Sequence, residues 1–230
     1  MVCFKKVGLR IYEAVKHNED VSEGIPECIG ANMRIGLLRH FKVNCPHKRM
    51  MTSKEFREWS ECYETSKVIK KQVEMYGIEW DICYVSDLPR AITTAKEVYS
   101  GNLIIDKLLR EVDNAPFIHS ERLRLPFEIW HICGRLAWYF KSKSQPESVI
   151  GTRKRINAFL DRIDWSQENI LIVFHGFMLF NFQRELRKRG FTGEKVKIVK
   201  NGVLYQYLQE ELEYDMKNSR IQSGLEHTDR

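Results

Sequence analysis

Short apolar runs alternate with longer stretches of helical periodicity through the middle of this chain. The apolar runs predict buried parallel strands, which are covered on both faces. They span residues 33–38, 81–86, 103–105 and 169–174. Strands that alternate with helices are typical of three-layer α/β proteins. We therefore predict a three-layer α/β/α fold with a mostly parallel central sheet.

Helical periodicity and turn residues predict the remaining elements. The expected helices span residues 53–76, 89–99, 126–141, 146–163 and 178–189. Ser53 is the expected N-cap of the first helix, and Gly77 is expected to end it. Residues 196–208 predict two short strands joined by a turn at Asn201-Gly202.

The two ends of the chain differ from this central part. Residues 1–32 are mixed and charged with little periodicity, and the tail after Gln209 is highly charged. We expect an N-terminal extension of unknown role at 1–32, one domain at 33–208 and a charged C-terminal tail at 209–230. The tail is expected to be helical to about Lys217. Because Met33 directly precedes the first predicted core strand, we hypothesise that residues 1–32 are dispensable for folding.

Composition indicates only the broad class of protein. The chain is 43% hydrophobic and 30% charged, which is ordinary for a globular protein. Its formal net charge of +6 favours anionic partners, either phosphate esters or nucleic acid. Six cysteines without a C-x-x-C pair are interpreted as free thiols in a reducing compartment. No secretory signal or membrane-spanning apolar stretch is recognised, so we expect a cytoplasmic location.

Residues suited to phosphate chemistry follow three of the predicted strands. Arg39 and His40 end the first strand, Arg90 lies at the helix start after the second, and His175 ends the fourth. Ligands of such sheets bind beyond the carboxyl ends of the strands. Guanidinium pairs bind phosphate bidentately, and a neutral imidazole can attack phosphorus. The alternative is that the histidines are structural and the arginines form exposed ion pairs.

Four motifs, in order and at matching spacing, make the indication more specific. They are Leu37-Leu38-Arg39-His40, then Ser86-Asp87-Leu88-Pro89-Arg90-Ala91-Ile92-Thr93-Thr94-Ala95, then Leu109-Arg110-Glu111, and Val173-Phe174-His175-Gly176. Over about residues 33–208 the chain resembles the histidine phosphatase superfamily, the phosphoglycerate mutase-like group.

This resemblance implies a role for each residue. His40 is expected to be the nucleophile that becomes phosphohistidine. Arg39 and Arg90 are expected to clamp the phosphoryl oxygens, and His175 to donate hydrogen bonds to them. Glu111 is the expected proton donor, although Asp113, two residues away, is an alternative.

The chemistry of phosphoryl transfer fits these roles without a metal or a cofactor. The reaction mainly needs positioning and charge stabilisation, which two arginines and a histidine can supply in place of Mg²⁺. His40 must be unprotonated, and the neighbouring Arg39 and Arg90 are expected to lower its pKa. Glu111 must give a proton to the leaving alkoxide and later take one from water.

One residue departs from the family pattern. The family usually has Gly after the nucleophilic histidine, whereas this chain has Phe41. Phe41 resists the positive φ that Gly tolerates, so either the loop takes another backbone path or Phe41 lines the pocket. Lys42 and Asn44 are candidates to replace lost phosphate contacts.

In the family, the segment after the acid contributes a cap over the active site, expected here around 114–145. The helix predicted at 126–141 has an apolar stripe and a polar stripe of Glu128, His131 and Arg135. The cap could select an apolar leaving group. We favour an amphipathic helix that packs on the core with its polar stripe in solvent.

The predicted function is that of a metal-independent phosphatase acting on a small-molecule phosphate ester. Two alternatives stay open: a phosphoglycerate-mutase-type phosphotransferase, and a low-activity phospho-ligand-binding protein, which Phe41 keeps open. The basic residues at 184–200 are interpreted as the charged end of a helix, so neither nucleic acid nor a membrane is an expected partner. The sequence specifies neither the physiological substrate nor the oligomeric state.

Overall fold

The structure is a computed structural model, which describes residues 33–209 of the chain. In chain order its strands and helices are β1 (Met33–Arg39), β2 (Lys42–Val43), β3 (Met50–Met51), α1 (Ser53–Thr65), β4 (Val68–Ile69), β5 (Ile82–Val85), α2 (Pro89–Val98), β6 (Leu103–Ile105), β7 (Leu125–Pro126), α3 (Phe127–Tyr139), α4 (Val149–Leu160), β8 (Asn169–Phe174), α5 (Gly176–Lys188), β9 (Thr192–Gly193) and β10 (Leu204–Gln209). Predictions for residues 1–32 and for the tail beyond Gln209 lie outside the described residues.

The central sheet has six strands in the order β6-β5-β8-β1-β10-β9. The four strands from β6 to β1 are parallel neighbours. β10 runs antiparallel to both β1 and β9. The predicted α/β fold with a mostly parallel sheet is therefore confirmed.

Alternating side chains of the sheet contribute to two separate cores. In β8, Ile170, Ile172 and Phe174 pack into one hydrophobic cluster with α4 and α5. Leu171 and Val173 point to the opposite face and pack into a second cluster with α2. Because successive side chains of a strand alternate between faces, this unbroken apolar run covers both sides of the sheet. The layers are thus helix, sheet and helix.

The first helix is shorter than predicted. It ends at Thr65 instead of residue 76, and its N-cap is Thr52 instead of Ser53. The Thr52 hydroxyl accepts a hydrogen bond from the Glu55 N–H, while the Glu55 carboxylate accepts one from the Thr52 N–H. Beyond the helix, Val68 lies in β4 opposite Val43 of β2. The helical spacing of the apolar residues was therefore misleading after Thr65.

The predicted hairpin over 196–208 is wrong in its first half. Gly202 does form a turn, with φ of +58°. However, residues 196–200 form no strand, because the Gln183 side-chain amide bonds both the N–H and the carbonyl of Val196. Two helix starts also differ: α4 begins at Val149 and α5 at Gly176.

Within residues 33–209, every helix is too short or too polar to cross a membrane.

Candidate active site

The ends of β1 and β8 lie side by side and bring two histidines together. In the parallel pairing, Arg39 is opposite Phe174. The next residue, His40, donates its backbone N–H to the Phe174 carbonyl over 2.9 Å. The ring centroids of His40 and His175 are 5.1 Å apart. The structure thus brings the two predicted histidines into one place.

The neighbouring strand β5 adds a hydroxyl to this pair. Ser86, the residue after β5, has its Oγ 2.8 Å from Nε2 of His175. The Leu88 N–H donates to the same Oγ over 3.4 Å, which leaves the hydroxyl proton free to donate to His175. Ser86 belongs to the motif that follows β5, but no role was predicted for it from the sequence.

His40 is almost fully buried, with 2% of its surface exposed. Its Nδ1 lies 2.6 Å from the Phe41 carbonyl oxygen. Burial, followed by the positive charge of Arg90, lowers the pKa of His40 to about 3; Arg39 acts in the same direction. We predicted the effect of the arginines, but the larger contribution of burial is visible only in the fold.

His175 is also held in its neutral form. It has no exposed surface, and burial lowers its pKa well below the ordinary value, with His40 and Arg90 adding to the effect. Among the described residues, Nδ1 of His175 has no hydrogen-bond partner. Nε2 faces the Ser86 hydroxyl, and when that hydroxyl donates to Nε2 the ring proton is on the unpartnered Nδ1.

The two predicted arginines, Arg39 and Arg90, line a cleft whose lining residues do not include the buried His40 and His175. Arg39 donates from Nη1 to the Val199 carbonyl over 2.6 Å. The guanidinium of Arg90 lies 5.2 Å from the ring centroid of Tyr63, a residue that sequence reasoning did not identify. Nε of both arginines and Nη1 of Arg90 are buried and have no acceptor within residues 33–209.

Glu111 lies at the N-terminus of α5, in the same cleft as Arg39 and Arg90. Its carboxylate accepts hydrogen bonds from the backbone N–H groups of Phe177 and Met178, at 3.0 and 2.8 Å, and of Val112, at 2.9 Å. Helix N-termini favour such a negative charge. The alternative acid, Asp113, lines the same cleft.

Phe41 is buried and does not line the cleft, so of the two possibilities we expected the loop takes another backbone path. It is 1% exposed, and its N–H donates to the Thr94 hydroxyl over 2.9 Å. Its φ is not positive. The ring packs against Gly202, where an added Cβ would lie 3.0 Å from Cδ1 of Phe41. Lys42 lines the cleft, whereas Asn44 lies exposed outside its lining.

The cleft has a volume of about 690 Å³. This is within the usual range of roughly 300–1,000 Å³ for small-molecule sites.

The predicted orientation of α3 was wrong. The helix buries Trp130, Gly134 and Trp138. The residues of the predicted apolar stripe that are exposed instead are Ile129, Ile132, Leu136, Tyr139 and Phe140. His131 and Arg135, from the predicted solvent stripe, line the cleft.

His131 and Arg135 are embedded in this cleft. Burial, together with the charge of Arg135, lowers the pKa of His131 to about 4. Arg135 donates to the carbonyls of Val112 and Asp113, at 2.8 and 3.2 Å. Among residues 33–209, no group of three or more His, Cys, Asp or Glu side chains is arranged to hold a metal ion.

Solved structures similar to this chain include one mutase and two phosphatases. Phosphoglycerate mutase from Bacillus anthracis is 19% identical, with a TM-score of 0.52 over 80% of this chain and 90% of that one. The alpha-ribazole phosphatase of Shigella flexneri is 20% identical, with a TM-score of 0.43 over 67% of this chain and 79% of that one. A mycobacterial glucosyl-3-phosphoglycerate phosphatase is 16% identical, with a TM-score of 0.43 over 68% of this chain and 80% of that one.

No curated protein sequence matches this chain. Residues 70–207 match the family model of the histidine phosphatase superfamily (branch 1). The matched segment contains Arg90, Glu111 and His175, and Arg39 and His40 precede it. With most of its length in this match, the chain belongs to the histidine phosphatase superfamily.

Proposed function

We propose that this chain is a metal-independent phosphatase that hydrolyses a small phosphomonoester through a phosphohistidine on His40. One observation carries the proposal: buried N–H donors without acceptors surround a neutral imidazole. These donors are Nε of Arg39, Nε and Nη1 of Arg90, and Nδ1 of His175. Since buried donors in proteins are nearly always paired, this set suits an anion that would complete its hydrogen bonds.

The tautomer of His40 determines which nitrogen attacks. A carbonyl oxygen can only accept, so Nδ1 carries the proton that is donated to the Phe41 carbonyl. Nε2 then holds the lone pair, and the pKa of about 3 keeps it unprotonated at neutral pH. Attack by Nε2 forms a P–N bond while the P–O bond to the leaving group breaks. The unpaired donors stabilise the charge on the phosphoryl oxygens.

Glu111 would donate a proton in the first half of the reaction and accept one in the second half. In the first half it protonates the leaving alkoxide; in the second half it takes a proton from the water that attacks the phosphohistidine. The P–N bond then breaks and inorganic phosphate leaves. Its position at the start of α5, held by the N–H groups of Phe177 and Met178, keeps the carboxylate beside the arginine pair in the cleft.

We further propose that residues 33–208 act as the catalytic domain, with 114–145 as its cap. α3 lies within this cap and contributes His131 and Arg135 to the lining of the cleft. The expected substrate is a small-molecule phosphate ester, in keeping with the size of the cleft.

Release of phosphate from para-nitrophenyl phosphate in the presence of EDTA tests the proposal. We expect turnover in EDTA, an acid-labile phosphoenzyme in rapid-quench experiments, and loss of both in His40→Ala. Glu111→Gln should lower turnover by roughly 10²–10⁴-fold. His119→Ala is a matched control, because this histidine is exposed on the surface and pairs with Arg57.

Full activity of purified His40→Ala would refute the mechanism. Phosphate binding without release would indicate the phospho-ligand-binding alternative. Phosphate transfer between phosphoglycerates, in place of release, would indicate a mutase.

A further inference from the structure

Aromatic side chains line the outer cleft on two sides. The first side comes from α1 and the start of α3: the ring centroid of Trp59 lies 5.2 Å from that of Tyr63 and 4.6 Å from that of Phe127. The second side comes from the first turns of α5, where the rings of Phe177 and Phe180 are stacked 6.3 Å apart. All five rings line the same cleft and are partly exposed.

Tyr63, Phe177 and Phe180 lie outside the hydrophobic cluster between α1 and α3, whereas Trp59 and Phe127 pack against it. That cluster consists of Phe56 and Trp130, which have no exposed surface, and of Met51 at 3%. The Trp130 indole N–H is satisfied by the Met51 carbonyl over 2.9 Å. The Trp59 indole N–H, by contrast, is buried with no acceptor among the described residues. All five cleft rings are partly exposed, and these exposed parts are available to a ligand.

Each aromatic side contacts a residue that would act on the phosphate ester, either Arg90 or Glu111. Tyr63 stacks with the guanidinium of Arg90. The backbone N–H of Phe177 donates to Glu111, the proposed proton donor to the leaving oxygen. The leaving group must therefore project from the phosphate into the region lined by these rings.

We propose that this outer cleft binds the leaving group as an aromatic ring, so that the preferred substrates are monoesters of arylmethyl or similar aromatic alcohols. The inference rests on the proposed phosphatase function. Aromatic pairs with centroids roughly 4.5–7 Å apart are favourable beyond the burial of their area. The guanidinium of Arg135, 3.9 Å from the ring centroid of Phe177, holds one of these rings in place.

A comparison of benzyl phosphate with cyclohexylmethyl phosphate isolates this effect. Both esters release a primary alkoxide of similar size, so the chemistry of the leaving oxygen is nearly equal. We expect kcat/KM to be roughly threefold to tenfold higher for benzyl phosphate, the factor that one aromatic pair supplies. Trp59→Leu and Phe180→Leu should each reduce this ratio. Tyr139→Leu is the control, because that ring is 58% exposed and lies outside the cleft lining.

Equal kcat/KM for the two esters, or an unchanged ratio in both cleft variants, would overturn the inference while leaving the phosphatase intact. A preference for glycerol phosphate over benzyl phosphate would also overturn it. Failure to hydrolyse any monoester, para-nitrophenyl phosphate included, would instead refute the proposed function. Phe180→Leu keeps the test decisive if Trp59→Leu does not fold, since Phe180 lies at the partly exposed surface of α5.

Discussion

Gly176 allows the start of α5 to approach the arginine clamp closely. A Cβ added at this position would lie 2.8 Å from both Cζ and Nε of Arg39. These distances are about 0.6 Å shorter than the 3.4 Å at which ordinary contacts begin. Arg39 is itself held by the Val199 carbonyl, so its guanidinium has little freedom to yield. Gly176→Ala should therefore displace the guanidinium from its place beside His40.

The displacement sets the size of the expected effect. A misplacement of about 1 Å in a catalytic arrangement can lower the rate about 10²-fold. For the smaller shift here we expect kcat/KM to fall roughly 10- to 100-fold. The free energy of unfolding should fall by up to about 2 kcal/mol, because overpacking costs roughly 1–3 kcal/mol and alanine in a helix recovers about 1 kcal/mol over glycine.

The measurement is kcat/KM with para-nitrophenyl phosphate, together with urea unfolding of the same preparations. Gly151→Ala is the matched control, a Gly-to-Ala change in the first turn of α4. There the nearest atom to an added Cβ is the flexible Cγ of Glu147, at 3.1 Å. We expect this control to retain activity. If Gly176→Ala kept its kcat/KM within twofold while folding normally, the proposed clamp role of Arg39 would be refuted.

Three further predictions concern stability. Because the pKa of His40 is lowered from 6.5 to about 3, the unfolded chain binds a proton that the folded chain lacks between these pH values. The free energy of unfolding should then fall by about 1.4 kcal/mol per pH unit on acidification in this window, and His40→Ala should show a shallower slope in urea titrations. Phe41→Gly should lose about 3–5 kcal/mol in urea unfolding without gaining activity, because it empties a buried site. Arg110→Ala should change the free energy of unfolding by less than about 1 kcal/mol, since its bidentate pair with Asp87 is largely exposed on the arginine side.

The parts of the fold that local patterns determine were predictable. Residues 169–174 were predicted as a buried strand because the five consecutive apolar residues 170–174 supply both cores, and the structure has the same bounds. Pro89 marks the first turn of α2 because proline fits only there in a helix. The carboxyl ends of such parallel strands meet at one edge, so the meeting of His40 and His175 followed from the strands alone.

Features that depend on long-range pairing were not predictable in this way. Val68 and Ile69 continue the helical spacing of α1, yet they pair with β2, which lies about 25 residues earlier in the chain. The prediction of which face of α3 is buried was wrong for a related reason. A helix with apolar residues on most of its sides has no unique buried face until its neighbours are known, and here Trp130 and Trp138 determine that face.

The spacing of the catalytic groups follows from the register of β1 with β8. His40 and His175 each lie one residue beyond the paired Arg39 and Phe174, and their ring separation of 5.1 Å is close to the spacing of adjacent strands. A slip of one residue would send every side chain of β1 to the opposite face. Gly36 opposes such a slip, because the indole of Trp80 lies directly over it, where a Cβ would clash. After a slip of one residue, Ile35 or Leu37 would take the place of Gly36 and put a large side chain under the Trp80 indole. The register, and with it the distance between the two imidazoles, is therefore fixed by a contact four residues from the nucleophile.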